Sequence, residues 1–415
     1  MLLGSARAAA EGQGEPAFLN AGAGQHLSSW QSVEILRDDE PLYQQPSSRA
    51  ARRGAARVSA QLPLFGGQRG PGCEGLWLQV GPSAFVCESG VRLSKLAPLR
   101  ASEREPSLTS GLPYRYFYVA RDGSFGYRGL ETAEEGVPDA QFQPGFALAI
   151  TRVAQHPNGD PFGLTQRGFW VPLRDLSEAH AIEFRGADWS DELAWVTHEA
   201  APVFAEVSRS SEAQRELRRE PGVTLPRLTQ LRVLERRAVG GTQYARIAQE
   251  RWLLSAHVTQ PRAAAPPEEL RTGERWLDVD LSQQTLVAYA GTLPVFATLI
   301  SSGRGREGSD TATPRGVHRV WVKLRTSDMS NLDDAKAREN YALEAVPWVM
   351  FFEKGYGLHG TFWHSRFGEV RSHGCVNLTP RDAERLFHWT SPRLLPGWTA
   401  VFPTPYEPGT LVRVR

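Results

Sequence analysis

With 415 residues, 41% of them apolar and 22% charged, and a formal charge of +1, the chain has material for three or four small globular units. The charge is spread evenly, 17 Lys+Arg against 15 Asp+Glu from Gly273 onward and 30 against 31 before it, so a nucleic-acid role finds no electrostatic footprint. The 29 prolines and 39 glycines suit short strands joined by turns better than helices, and the fold class is read as mainly β. No stretch approaches eighteen consecutive apolar residues, so no transmembrane span is expected.

The opening MLLGSARAAAEG has neither the apolar core nor the leading charge of a signal peptide, though SARAAA has the small residues of a cleavage site. Residues 1–29 are read as a leader remnant or a disordered segment. Three segments of similar design follow, at 30–100, 112–180 and 190–260. The first contains EILRDDEPLYQQPSS, AQLPLFGG and LWLQVGPSAFVCESGVRLS; the second opens on RYFYVARDGSFGYRG and closes on GFWVPLRDL; the third opens on AWVTHEAAPVFAE and closes on YARIAQERWLLSAHVTQ. Each has an extended opener with a turn, a variable middle and a late aromatic entering a final strand. As a set they resemble bacterial SH3-like barrels, which implies small closed modules. The middle of the second, ETAEEGVPDAQFQPG, departs most from a compact barrel.

Cys73 and Cys87 lie fourteen apart in the first segment, one in the turn before LWLQV and one in the strand after it. A disulfide between them would staple a unit with little core and imply an oxidising compartment; two reduced cysteines are the alternative. Residues 261–272, within QPRAAAPPEELRTG, form a Pro/Ala-rich joint that is short enough to be tied down.

From 273 to 415, ERWLDVDLSQQTLVAYAGTLPVFATLISSG reads as strands around turns at 280–284 and 291–292, and 302–313 as a polar surface loop. GVHRVWVKLR restores strand alternation. SDMSNLDDAKARENYALEA, with no internal Gly or Pro, is read in part as a helix or structured insertion beside the cleft. VPWVMFF is a strand that delivers His359, and the loop 362–371 carries Trp363, His364 and Phe367 as a lid or as packing. After Leu378, Thr379-Pro380-Arg381-Asp382 is a helix start with Thr379 as cap and Ala383, Leu386 and Phe387 as the apolar stripe. TAVFPT and TLVRVR close the chain as strands.

The chemistry concentrates in Leu358-His359-Gly360-Thr361 and Ser372-His373-Gly374-Cys375-Val376-Asn377-Leu378. Cys375 is the third cysteine and the candidate nucleophile; His359 or His373 is the candidate base, with His359 preferred because it approaches from a separate segment. In an extended strand His373 would point the same way as Cys375. The N–H groups of Gly374 and Cys375 are the candidate oxyanion donors. His359, His364, His373 and Cys375 include usable zinc ligands, but no Cys-x-x-Cys pair or His-Glu-x-x-His helix accompanies them, so neither a metal nor a cofactor is expected.

These residues, together with WLDVDLSQQTLVAYAG, TPRGVHRV and GYGLHGT, resemble the L,D-transpeptidase (YkuD) catalytic domain over about residues 275–403. The resemblance implies a β-sandwich-like domain in which Cys375 is acylated, His359 is the base and His373 a second active-site histidine. Gly374 would help to form the oxyanion hole. Ser372 and Asn377 would hold the loop and bind donor backbone, Gly360 and Thr361 would support it, and Tyr356 or Tyr341 would stand on the substrate side. The implied activity is 3→3 crosslinking of peptidoglycan by cysteine acyl transfer from a tetrapeptide stem. Water as acceptor, attachment of a protein to peptidoglycan, and a non-catalytic wall-binding protein are the alternatives. The implied partners are stem peptides and, through the N-terminal modules, wall glycan, and the protein is expected to be a monomer. The implied location is periplasmic or otherwise extracytoplasmic, with the native signal sequence missing or truncated.

Overall fold

The computed structural model describes residues 27–100, 107–135, 137–208, 215–332 and 340–415. The leader expected at the N-terminus lies almost wholly outside them. Strand accounts for 47% and helix for 5%, so the fold class is mainly β. The chain divides into two compact units, one of residues up to 103 with 396–398, the other of 104–395 with 399–415. Among the described residues no helix is long and apolar enough to cross a membrane.

In the first unit, Ser32–Ile35 is the middle strand of three, flanked antiparallel by Gln61–Pro63 and Val91–Ser94. Trp77–Gly81 pairs with Gly66–Gln68 and with Ala84–Cys87. Their alternating side chains bury Val33, Ile35, Leu62, Leu78 and Val86 completely or nearly so. The Trp77 ring meets Tyr43 edge to face at 5.4 Å. Cys73 and Cys87 are joined in a disulfide with Cα atoms 5.6 Å apart.

The second unit begins with an antiparallel set in which Ala147–Gln155 pairs with Arg115–Val119 and Pro161–Thr165. A further group follows, with a five-stranded sheet around Ala200–Ser208 and a three-stranded sheet around Leu193–Val196. No closed barrel is found among the described residues. Besides its two partners within the second segment, Ala147–Gln155 meets the strand Ala342–Glu353 in parallel at one residue pair, Ala147 opposite Leu343. The joint 261–272 is tied down: the Ala264 N–H donates to the Tyr289 hydroxyl at 2.9 Å and Arg413 to the Ala265 carbonyl at 2.8 Å.

Beyond it, Arg275–Asp280, Thr285–Ala290 and Leu293–Leu299 form an antiparallel run, with Leu411–Val414 parallel to the first and Gly316–Arg319 outside that. A second group joins Val322–Ser330, Ala342–Glu353, Tyr356–Gly360 and Val376–Leu378. Leu277, Val279, Leu286 and Phe296 from the first sheet and Met350, Phe352, Leu358, Val376 and Leu378 from the second share one core. The other face of Arg275–Asp280 is also covered: Trp276 packs with Leu193, Trp195 and Phe367. Burial on both faces accounts for the nearly unbroken apolar runs of these strands. Asp278, 1% exposed, is held in that sheet by Arg413 and Arg415 at 2.6 and 2.9 Å.

The helix Pro380–Trp389 starts as its sequence dictates, with the Thr379 hydroxyl accepting from the Asp382 N–H at 3.3 Å and Pro380 in the first turn. The segment 327–345 corrects the helical expectation at both ends. Residues 327–330 complete the strand Val322–Ser330 and residues 342–345 begin Ala342–Glu353, while 333–339 lie outside the described residues. Backbone pairing between those two strands, Ser327 to Val346 and Met329 to Leu343, outweighs the helical propensity of the side chains.

Candidate active site

Two short strands carry the chemistry. Tyr356–Gly360 and Val376–Leu378 run parallel, His359 opposite Asn377 and Leu358 opposite Val376, which brings the base candidate beside the strand that Cys375 opens. The hairpin turn at 354–355 feeds the first strand from Ala342–Glu353. On its other side Asn377 exchanges both backbone hydrogen bonds with Ser301. Ser302 accepts from the N–H groups of Arg371 and Ser372, and the Arg304 N–H donates to the Ser372 carbonyl at 3.1 Å.

His359 is 2% exposed. Its Nδ1 lies 3.2 Å from the Gly360 carbonyl and 3.4 Å from the Thr361 hydroxyl. A carbonyl only accepts, so the proton sits on Nδ1 and the lone pair on Nε2, the tautomer a base requires. Burial pushes the imidazole pKa down to about 4, the Gly360 carbonyl offsetting part of that. Trp363 stacks on the ring at 5.6 Å. Gly360 packs closely, and a Cβ there would stand 3.0 Å from Pro347 and 3.2 Å from Pro380.

Cys375 is half-buried and unpaired. Burial raises its thiol above the ordinary range, and a hydrogen bond from the Gly357 N–H lowers it in part. The sulfur also lies 3.8 Å from the Gly355 carbonyl. Burial thus pushes both groups toward their neutral forms, the thiol upward and the imidazole downward.

Residues 373–375 form a bend and not an extended strand, which corrects the expected geometry of His373. Gly374 has φ +122°, and a Cβ would fall 2.4 Å from the Tyr356 ring, so the bend admits glycine only. The Ser372 hydroxyl pins it, accepting from the Gly374 N–H at 3.1 Å and donating to the Cys375 carbonyl. Of the two expected oxyanion donors, Gly374 thus already has an acceptor.

His373 is exposed, stacks on Tyr341 at 5.5 Å, and receives a hydrogen bond at Nε2 from Arg304 Nη2 at 2.6 Å. A guanidinium only donates, so His373 is neutral with its proton on Nδ1; partial desolvation of the ring and then the Arg304 charge lower its pKa. Tyr356 covers Gly374 and donates to the Asp310 carbonyl at 3.0 Å. Both Tyr341 and Tyr356 are raised by burial and, secondarily, by the neighbouring Cys375. Asn377 is 3% exposed and its side-chain amide lies 2.9 Å from His364 Nε2, so it holds the strand from inside. His364 also takes the Arg366 N–H at Nδ1, 3.2 Å away. Its pKa is down to about 4, from burial first and then Arg371 and His359.

The loop 362–371 packs: Phe362 is 4% and Phe367 0% exposed. Sequence reasoning missed Arg304, the Gly357 N–H and the Trp363 stack on His359. Arg304 stands in a glycine-rich loop with nothing in its spacing to single it out, and the other two contacts depend on the hairpin that brings distant strands together.

In this β-rich domain a histidine stands on one of two adjacent parallel strands and a cysteine immediately precedes the other. A family model for the L,D-transpeptidase catalytic domain (YkuD) matches residues 274–414. These residues form an L,D-transpeptidase YkuD catalytic domain, preceded by additional β-rich domains. Among solved structures, an Enterococcus faecium L,D-transpeptidase C442S mutant is 24% identical over 34% of this chain and 50% of that one, with a TM-score of 0.26. The catalytic domain of the E. faecium enzyme is 25% identical over 35% of this chain and all of that one, TM-score 0.26. A Mycobacterium smegmatis L,D-transpeptidase is 17% identical over 51% and 77%, TM-score 0.27. The match thus spans about half the length of that E. faecium mutant chain. No curated protein matches the chain.

Proposed function

We propose that the chain is a peptidoglycan L,D-transpeptidase in which Cys375 is the nucleophile and His359 the base. The observation that carries the reading is the contact of buried His359 Nδ1 with the Gly360 carbonyl, which leaves Nε2 free to accept, on a strand paired with the one that follows Cys375. In the first step the sulfur attacks the carbonyl following the L-centre of the diamino acid at position three of a tetrapeptide stem. The thiol proton passes to His359 Nε2 and then to the departing amine; a C–S bond forms, the amide C–N bond breaks, and D-alanine leaves. In the second step the side-chain amine of another stem attacks the thioester and gives a proton to His359; a C–N bond forms, the C–S bond breaks, His359 returns the proton to the leaving sulfur, and the 3→3 crosslink is released. One amide replaces another, so no energy source is needed. The Cys375 N–H is the oxyanion donor this reading favours, with Gly374 supplying the bend, Ser372 pinning it, and Thr361 and Gly360 orienting His359.

The N-terminal segments are SH3-like modules that hold wall glycan, and the enzyme works outside the cytoplasm; the Cys73–Cys87 disulfide supports that location. The test is product analysis with a disaccharide-tetrapeptide. A crosslinked dimer supports transpeptidation, tripeptide alone supports water as acceptor, and no D-alanine release from any stem contradicts the acyl-transfer reading.

A further inference from the structure

Arg304 stands on the rim of the nucleophile bend, joined to it twice. Its backbone N–H holds the Ser372 carbonyl at 3.1 Å, and its guanidinium reaches His373 Nε2 at 2.6 Å. That partner is neutral, because the arginine leaves Nε2 no proton. Of the other nearby arginines, Arg366 is matched by Glu199 and Glu369, Arg371 by Glu369 and Arg315 by Glu307, while Arg306 also lacks a carboxylate partner among the described residues but has no side-chain hydrogen bond to the bend. Arg304 has no carboxylate partner among the described residues, although its side chain is exposed and anchored. A guanidinium fixed through one nitrogen to an uncharged ring keeps further N–H donors in the fork geometry that matches a carboxylate.

We propose that Arg304 recognises a carboxylate of the donor stem and so sets which stems are accepted. This rests on the transpeptidase reading above. Such a stem can offer two carboxylates: that of the terminal D-alanine, which departs with the leaving group, and one on the side chain of the third residue where the diamino acid carries it. Both present the same chemistry to the arginine, and substrate substitution separates them.

The experiment uses the full chain and four synthetic tetrapeptides, combining a third residue with or without a side-chain carboxylate with a terminal D-alanine or D-alaninamide. Release of the terminal residue is followed for wild type, Arg304→Gln and Arg304→Lys, with thermal melts to verify folding. Removing the recognised carboxylate is expected to lower wild-type kcat/KM by about tenfold to a hundredfold, the range of one charge-assisted contact. Arg304→Gln is expected to show the same loss on the stem bearing that carboxylate and, within about twofold, no further loss on the stem without it. Arg304→Lys should lie between. The arm showing this coupling identifies the carboxylate. Equal slowing on all four stems, or none, overturns the inference and leaves the transpeptidase reading intact. Absence of turnover by wild type on every stem overturns both. Should Arg304→Gln fail to fold, the wild-type and Arg304→Lys comparison carries the same decision.

Discussion

At His359 the decisive quantity is burial, which holds the imidazole pKa near 4 and so keeps a free lone pair on Nε2 through the whole neutral range. Activity with a stem peptide should therefore stay flat as pH falls from 7 to 5 and decline only as it approaches about 4. A pH–kcat/KM profile reads this; an acid limb centred near 6.5 contradicts it. The same depression acts on stability. Unfolded histidine takes up its proton near 6.5, whereas folded His359 and His364 do so near 4. Their contribution is thus complete above 6.5 and lost as pH drops toward 4. Replacing His359 by Ala should cost about a hundredfold to ten-thousandfold in kcat, the usual scale for a general base, with Cys375 still alkylated by a small electrophile. The cysteine and the two histidines were legible as a contiguous signature. Their protonation was not, because a tautomer is set by where the ring comes to rest, against the carbonyl of the next residue, Gly360, for His359 and against the guanidinium of Arg304 for His373.

Among the elements, the loop 362–371 and the strand Ala342–Glu353 connect the catalytic residues to the segments before them. Arg227, its side chain 9% exposed, donates to the Phe367 carbonyl at 2.6 Å and pairs with Glu369 at 3.1 Å. Through His364 the same loop holds Asn377. Arg227→Ala should lower stability by about 1–3 kcal/mol, the scale for an unpaired buried polar group, and slow acylation of Cys375, with Arg227→Lys restoring part of both; a melt and an acylation rate measure them. Glu344, 4% exposed, accepts the N–H groups of Ala149 and Arg167 at 3.0 and 2.7 Å. Burial raises its carboxyl from 4.5 to about 7. The folded state then binds the extra proton between those values, so stability is full below 4.5 and lost as pH rises through 7. The melting temperature of Glu344→Gln relative to wild type should accordingly climb from pH 4.5 to pH 7; a constant difference contradicts the assignment. The helix start at Thr379-Pro380 was readable because capping is local. Residues 327–330 and 342–345 were not, because their state is decided by each other across the sheet.

For the whole chain, alternation and turn residues were enough to read a mainly β protein with a catalytic domain at its C-terminal end, and the YkuD match at 274–414 agrees. Closure of the early segments was not readable, since a two-residue period fixes which side chains face a core but not which strand edge pairs with which. The Cys73–Cys87 disulfide closes a short loop in the first unit, apart in sequence from Cys375. Replacing both half-cystines by serine should destabilise that unit by about 3 kcal/mol and leave the rate of Cys375 acylation by a soluble stem peptide unchanged. Calorimetry with a parallel acylation assay checks both halves.

The most direct measurement is intact-mass spectrometry of the full chain with a disaccharide-tetrapeptide, alongside Cys375→Ala. Cysteine acyl transfer predicts release of D-alanine, a transient adduct on Cys375 and a crosslinked dimer, all lost by about a thousandfold or more in the variant. Turnover surviving in Cys375→Ala, or neither adduct nor product from any stem with the wild-type chain, would contradict it.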